Sequence, residues 1–267
     1  MATWSGGDRA AVMLQPHAAR VLAVGSTRDG TQVWSVAADG SLARTAFGSA
    51  TPVASPRVDL GSARARVAVF SGDGSTLVTG GEFGEIRVFD TSSGTLRHQL
   101  LGHRTELQAL AIRPDSSTVA SASAEADLRI WDVAAGREVG SVDGDLSLFA
   151  LGFSPQNGTL AAGGVDRRLT LRDPNSFTPV GEMRLAAPKM VASLAWSPDG
   201  RFLAVGDIDD TTLSKGGIAI VDAATRAVVA NLDTGGVPAF AATFVGDARV
   251  MAVVGRDLRE WTVAAIR

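Results

Sequence analysis

Three side chains near the middle of the chain have the types and spacing of a nucleophilic catalytic site. His103 is followed by Ser121 and Glu125, and a hydroxyl, an imidazole and a carboxylate can together generate a serine nucleophile. Carboxylates offer a second chemistry, because a pair at the right separation can act as general acid and base. The candidates for such a pair fall near predicted turns: Asp29, Glu125, Asp166 and Asp257.

The stretch Gly206–Thr212 is acidic and has the oxygen-rich composition that calcium prefers. Asp207 and Asp209 stand at alternate positions, and Asp210 follows directly. Calcium takes oxygen ligands, but the spacing does not match a twelve-residue calcium loop and no Glu follows at the required place. We therefore expect a solvated acidic loop, spanning Asp207–Lys215, that would contact a basic partner surface if it binds anything.

The composition argues against several other classes of site. The net charge is −3 with no Lys/Arg cluster, which disfavours nucleic acid as a direct partner. With three scattered His and no Cys, neither a metal nor another cofactor is expected. No apolar run approaches the roughly 20 residues of a membrane span, and the N-terminus lacks a secretory signal pattern. These features predict a cytoplasmic chain that does not contact membranes.

The elements that must position these residues are short strands. Leu107–Val142 contains four alternating apolar runs separated by turn residues, for example Pro114-Asp115-Ser116-Ser117. Short gaps between alternating runs are typical of antiparallel hairpins, so this stretch is predicted to be a four-stranded meander.

The rest of the chain contains further copies of this meander. A marker at the third strand recurs, mostly at about 40–45 residues, a spacing typical of a β-propeller blade; the marker residues are Trp34, Phe89, Trp131, Arg172, Val221 and Trp261. An insertion at Ser49–Ser62 would explain the long first spacing. The predicted units, within a single domain over residues 1–267, are 10–48, 66–102, 107–144, 148–184, 191–233 and 239–267 completed by a strand at 2–6.

The chain resembles the WD40-repeat family. The residues that carry the resemblance are Gly102-His103, Trp131-Asp132 and Ser197-Pro198-Asp199-Gly200, each at its expected place in the unit. The resemblance implies an all-β propeller of about six four-stranded antiparallel blades, with the last blade closed by the N-terminal strand. The Ala-, Gly-, Val- and Arg-rich composition suggests a bacterial member, of actinobacterial type.

The same resemblance gives the Ser/His/acid trio a structural interpretation. In this family a His before the first strand, a Ser or Thr in the second, an Asp in the second turn and a Trp in the third form a hydrogen-bonded tetrad. His103, Ser121, Glu125 and Trp131 match those offsets, with Glu in place of Asp. A buried indole, hydroxyl and imidazole all need partners, so we favour this structural tetrad over catalysis.

The resemblance also suggests where a partner binds. The face that carries the turns between second and third strands is the one most used for binding in this family. The residues predicted there are Arg28, Glu82, Phe83, Arg104, Glu106, Asp166, Arg167, Asp209 and Asp210. Phe83 is the most conspicuous, because a large aromatic side chain in a turn either binds a partner or tucks against its own fold.

Two functions follow from these observations. The first is a non-catalytic interaction scaffold, or a targeting or sensor module of a larger chain or complex, that binds a protein or peptide. The second is a propeller enzyme or small-ligand binder that uses the carboxylates near the central channel. We favour the first, because the sequence contains no nucleophile elbow, no phosphate-binding glycine loop and no metal-ligand set.

Overall fold

The fold was analysed in a computed structural model. It describes residues 17–26, 31–46, 53–55, 57–60, 64–143, 147–185, 189–209, 212–246, 248–255 and 257–263. Every regular element in these ranges is a β-strand, so they contain no helix that could cross a membrane. The prediction of an all-β fold is confirmed. The strands form six antiparallel sheets, in two compact units of three sheets each.

The first unit contains three four-stranded meanders, which we call blades one to three. Blade one consists of β1 (Val21–Ser26), β2 (Gln32–Ala37), β3 (Leu42–Ala46) and β4 (Val53–Ser55). Blade two consists of β5 (Ala65–Phe70), β6 (Thr76–Gly81), β7 (Ile86–Asp90) and β8 (Leu96–Leu100). Blade three consists of β9 (Leu107–Ile112), β10 (Thr118–Ser123), β11 (Asp127–Asp132) and β12 (Arg137–Asp143).

The second unit contains blades four to six. Blade four consists of β13 (Leu148–Phe153), β14 (Leu160–Gly164), β15 (Arg168–Arg172) and β16 (Pro179–Arg184). Blade five consists of β17 (Lys189–Trp196), β18 (Phe202–Asp209), β19 (Gly216–Asp222) and β20 (Ala227–Leu232). Blade six has three strands in the described residues: β21 (Ala239–Phe244), β22 (Arg249–Val254) and β23 (Asp257–Thr262). Its predicted fourth strand, residues 2–6, lies outside them.

Packing between neighbouring sheets explains the burial pattern of the strands. The second strands β6 and β14 are buried along their whole length, whereas the outer strand β16 is largely exposed. A sheet that is covered on both faces needs apolar residues at every position, while an outer strand does not. In the first unit the core between blades two and three is built around Ile86, Leu107 and Trp131. Each blade therefore depends on its neighbours for burial.

Aspartates fix the turn that follows the third strand. The carboxylates of Asp90, Asp132, Asp173 and Asp222 each accept hydrogen bonds from main-chain N–H groups two or three residues further on. Such a carboxylate stabilises the turn and ends the strand locally. The recurring aspartate of the sequence repeat is thus a turn residue.

The predicted frame of the first repeat was wrong. Residues 10–48 were expected to form blade one, but the structure builds it from 21–55, and Val53–Ser55 is its fourth strand and not part of an insertion. Trp34, used as a third-strand marker, lies in the second strand, where it pairs with Gly25 on one side and Arg44 on the other. The error arose because a buried Trp fits either inner strand of a blade.

The acidic stretch of blade five was also misassigned. Asp207 and Asp209 belong to β18, which pairs with β17 and β19 along its length, and Asp207 is buried. The additional residues of this repeat therefore lengthen both strands of the β18–β19 hairpin as well as the loop that joins them. Of the predicted surface loop, only 210–215 connects β18 to β19, and residues 210–211 lie outside the described ranges.

Candidate functional site

A chain of hydrogen bonds crosses blade three. The Trp131 indole N–H donates to Ser121 Oγ at 2.7 Å, and Ser121 Oγ lies 2.7 Å from His103 Nε2. The other ring nitrogen, Nδ1, lies 2.8 Å from the Asp127 carboxylate. A carboxylate only accepts hydrogen bonds, so Nδ1 carries the proton and Nε2 accepts from the Ser121 hydroxyl. The network ties the loop before β9 to strands β10 and β11.

The acid of this network is Asp127, and the prediction of Glu125 was wrong. Glu125 lies at the exposed tip of the turn between β10 and β11, where its N–H contacts Ser123 Oγ. Asp127 is the first residue of β11 and also accepts hydrogen bonds from Ser123 Oγ and Arg129 Nε. A shorter carboxylate at the strand start reaches the imidazole, whereas the turn directs Glu125 towards solvent.

The geometry does not suit the trio for nucleophilic catalysis. Ser121 has no exposed surface, and its oxygen already accepts the Trp131 N–H while its proton is directed to His103. A nucleophile must reach a substrate carbonyl with its oxygen free to attack. The trio therefore serves to satisfy buried polar groups, as the structural interpretation expected.

Burial and pairing shift the pKa values of this network. Loss of solvent lowers the pKa of His103 below its ordinary value, although the nearby Asp127 carboxylate opposes the shift. The pKa of Asp127 is lowered as well: burial raises it, but hydrogen bonds from Ser123 and Arg129 and the proximity of His103 outweigh burial. His103 is thus neutral and Asp127 ionised in the folded protein near neutral pH.

The shift of His103 predicts a loss of stability in mild acid. Because its folded pKa lies below the unfolded value of 6.5, the unfolded chain takes up the proton first, and stability declines as pH falls below that value. We expect a lower urea midpoint at about pH 5.5 than at about pH 7.5, with Asp127 ionised at both. In His103→Gln this decline should shrink. A variant that keeps the full decline would contradict the assignment to His103.

Blade one contains a related histidine network, with Ser41 in the place of Asp127, which the sequence analysis missed. His17 Nε2 lies 2.7 Å from Ser35 Oγ and its Nδ1 lies 2.7 Å from Ser41 Oγ, which in turn donates to Asp39 at 2.7 Å. The separations of 18 and 24 residues equal those from His103 to Ser121 and Asp127. The sequence analysis counted His17 only among the three scattered histidines. Both histidines are followed by hydrogen-bonding partners 18 and 24 residues later, and this shared spacing was the signal that could have placed His17 correctly.

The turn between the second and third strands has the same backbone conformation in four blades. Its central position has a positive φ, and the residues there are Gly40, Gly84, Ala126 and Arg167. At Gly84 the turn packs so closely on the His103 backbone that an added Cβ would lie 2.6 Å from the carbonyl carbon. The β6–β7 turn and the β8–β9 loop that contains His103 are therefore packed together, and their surface residues are adjacent.

The first unit brings four of the predicted face residues to this edge. Glu82 and Phe83 lie in the β6–β7 turn, while Arg104 and Glu106 lie between β8 and β9, beside His103. The Phe83 side chain is 73% exposed, which excludes the alternative that it tucks against its own fold. Sequence reasoning missed Arg20, Arg64 and Arg66, which line a pocket with Glu82. These arginines lie at or just before the first strand of a blade, whereas the sequence analysis considered only the turns between second and third strands.

The remaining predicted face residues are less informative. In the second unit Asp166 lies at the β14–β15 turn, where its carboxylate accepts from the Arg168 N–H at 3.0 Å and pairs with the Arg168 guanidinium at 3.2 Å. Arg167 occupies the left-handed position of that turn. Asp209 accepts from the Thr212 N–H at 2.9 Å. Arg28 and Asp210 lie outside the described residues.

The candidate carboxylates that the structure describes are each either exposed or paired with an arginine. Glu125 is exposed in blade three, Asp166 binds Arg168, and Asp257 is exposed at the start of β23. Asp29 lies outside the described residues. Within the described ranges no three His, Asp or Glu side chains are grouped to hold a metal ion.

Comparison with known sequences identifies the repeat. A sequence model described as "WD domain, G-beta repeat" matches residues 94–132 and 181–213. The first match covers β8 to β11 and includes the whole network of His103. Both matched segments resemble the WD40 repeat. The second match runs from β16 to the residues just after β18, and the predicted resemblance to WD40 proteins is supported in these two segments.

Two similar curated proteins come from eukaryotes. The small ribosomal subunit protein RACK1y of Oryza sativa subsp. japonica is 28% identical over 144 residues, 51% of this chain and 42% of that protein. The WD repeat-containing protein SL1-17 of Schistosoma mansoni is 29% identical over 161 residues, 60% of this chain and 51% of that protein. The chain thus spans about half the length of these relatives or less. A bacterial source stays a prediction.

A solved structure shows the fold. A chain in the crystal structure of a mitotic checkpoint complex superposes with a TM-score of 0.75 at 21% identity, covering 98% of this chain and 84% of that chain. The likeness, with the six antiparallel sheets, confirms the predicted fold class, a six-bladed β-propeller. At this identity the likeness extends to the fold alone.

Proposed function

We propose that this chain is a non-catalytic interaction scaffold that binds a protein or peptide partner through the surface formed by Glu82, Phe83, Arg104 and Glu106. The observation that carries the proposal is Phe83, whose ring is 73% exposed on a turn held firmly against the His103 backbone. An exposed aromatic side chain on a rigid support is the usual anchor of a protein interface.

The surroundings of Phe83 support the same function. Acidic and basic side chains flank the ring, an arrangement typical of the polar rim around an interface anchor. Two similar proteins have names that place them in assemblies, the small ribosomal subunit and a mitotic checkpoint complex. By analogy we propose that this chain, in the cytoplasm, acts within a larger complex, without catalysis and without a nucleic-acid or membrane partner.

Phe83→Ala is expected to weaken partner binding without unfolding the protein. Truncation of an interface anchor typically costs about 2 kcal/mol or more in binding, roughly 30-fold in Kd. The measurement is affinity capture from the source cells with wild type and variant as bait, quantified by mass spectrometry and followed by titration of the captured partner.

Leu101→Ala is the matched control for this experiment. Leu101 is also a large apolar residue, 70% exposed, and it follows β8 in the same unit, but it lies outside the proposed surface. Its replacement should leave capture unchanged. Equal capture by wild type and Phe83→Ala, with thermal unfolding also equal, would remove the main support for the proposal.

A further inference from the structure

We infer that a pocket in the first unit binds an acidic segment of the partner, through the guanidinium groups of Arg20, Arg64 and Arg66. The inference rests on the proposed function, because it names the chemical character of the partner. The pocket has a volume of about 640 Å³, which lies within the roughly 300–1,000 Å³ of cavities that take ligands. Such a volume accommodates a few side chains of a peptide.

The pocket is built from equivalent positions of neighbouring blades. Arg20 directly precedes β1 and Arg64 directly precedes β5, so both lie where the chain enters a first strand. The Arg20 carbonyl accepts a hydrogen bond from the Ala38 N–H at 2.8 Å, which fixes the entry to the turn after β2. Ala38 and the buried Ala65 supply the small walls between the charged groups. The arginines are thereby held on rigid elements.

The arginines of the pocket are largely unpaired among the residues that the structure describes. Neither Arg20 nor Arg64 has an ion-pair partner among the residues that the structure describes. Arg66 approaches Glu106 at 3.9 Å, with both side chains more than a third exposed, and such a pair contributes little. Glu82 is the single acidic residue in the lining. The pocket is therefore positive on a chain whose net charge is −3.

These features fit a carboxylate-bearing peptide better than other anions. The planar guanidinium group binds a carboxylate through two parallel hydrogen bonds, and several arginines around one concave site can engage successive Asp or Glu side chains. Nucleic acid would require a longer basic stripe that follows the phosphates. Phe83 directly follows Glu82, so an apolar residue of the same segment would have a surface to pack on.

The test uses the intact chain and a short fluorescein-labelled peptide of alternating Glu and Ser, with a Gln-for-Glu peptide as the neutral match. Fluorescence anisotropy should show binding of the acidic peptide only, weakening as salt is raised because exposed charges are screened. Arg64→Glu with Arg66→Glu should weaken binding about tenfold or more, whereas Glu82→Gln should strengthen it about twofold, since it removes the repelling charge.

Arg137→Glu is the matched control, because Arg137 is an exposed arginine on β12 of the same unit, outside the pocket. Equal binding of the two peptides, an unaltered affinity in the double variant, or preference for a single-stranded oligonucleotide would overturn the inference. If the partner captured through Phe83 binds wild type and the double variant equally, the inference fails and the proposed function stands. If neither Phe83→Ala nor the double variant reduces capture, both fail.

Discussion

Replacing Trp131 by alanine is expected to lower the free energy of unfolding by about 3–5 kcal/mol, the range found for large aromatic residues in protein cores. The side chain is only 2% exposed and packs with Leu107 and Val119 between blades two and three. Its removal leaves a cavity and also removes the indole N–H that donates a hydrogen bond to Ser121 Oγ. The measurement is urea-induced unfolding followed by circular dichroism at neutral pH.

Two further variants separate packing from hydrogen bonding in this prediction. Trp131→Phe keeps most of the ring but removes the donor to Ser121, and should cost about 1–2 kcal/mol. Trp261→Ala is the control at the third strand of blade six, where the Trp is only half-buried and its N–H donates to the Asp233 carbonyl at 3.2 Å. A larger loss for Trp261→Ala than for Trp131→Ala would show that the network of blade three is not a main source of stability.

The second large effect is expected at Gly84. Its φ is +82°, which disfavours any residue with a Cβ, and that Cβ would meet the His103 main chain, which has little room to move. Strain and overlap together predict a loss of about 2–4 kcal/mol for Gly84→Ala, among the larger single-residue effects. Thermal unfolding and the anisotropy assay on the same variant would show whether the interaction surface is lost along with stability.

Gly72→Ala provides the control for Gly84. Gly72 lies in the β5–β6 turn of the same blade, without a positive φ, and an added Cβ would meet nothing within 4 Å. Its replacement should change the free energy of unfolding by less than about 0.5 kcal/mol. If both alanine variants unfold at the wild-type temperature, the contact between the turn and the histidine loop does not contribute as described.

The fold could be predicted because turns and alternating strands recur at a regular spacing. Trp131-Asp132 and its counterparts in blades two to six lie at the end of the third strand, so counting from them recovered the strands of those blades. Blade one failed because Trp34 lies in a second strand, where the same apolar burial is available. A single apolar marker residue indicates that a position is buried. The strand to which it belongs can be assigned only when the pairing of all four strands is known.

The candidate site could be predicted only in part. The spacing of His103, Ser121 and Trp131 was sufficient to place three members of the network, but Asp127 and Glu125 are two residues apart and only the path of the turn distinguishes them. The pocket could not be predicted, because Arg20 and Arg64 are 44 positions apart and meet only when two sheets pack side by side. The sequence repeat predicts the strands within each blade, whereas the lining of a pocket depends on how neighbouring blades pack against each other.

The position just before each first strand has a consequence for how this architecture diversifies. Arg20, Arg64 and Glu106 occupy it in three successive blades, and none of them belongs to a hydrophobic core. If the proposed function holds, a change of residue there is expected to alter recognition while leaving folding intact. Under the proposed function, successive blades therefore carry surface positions that can vary independently on the same packed core, and substitutions at these few positions are expected to change which partner is bound.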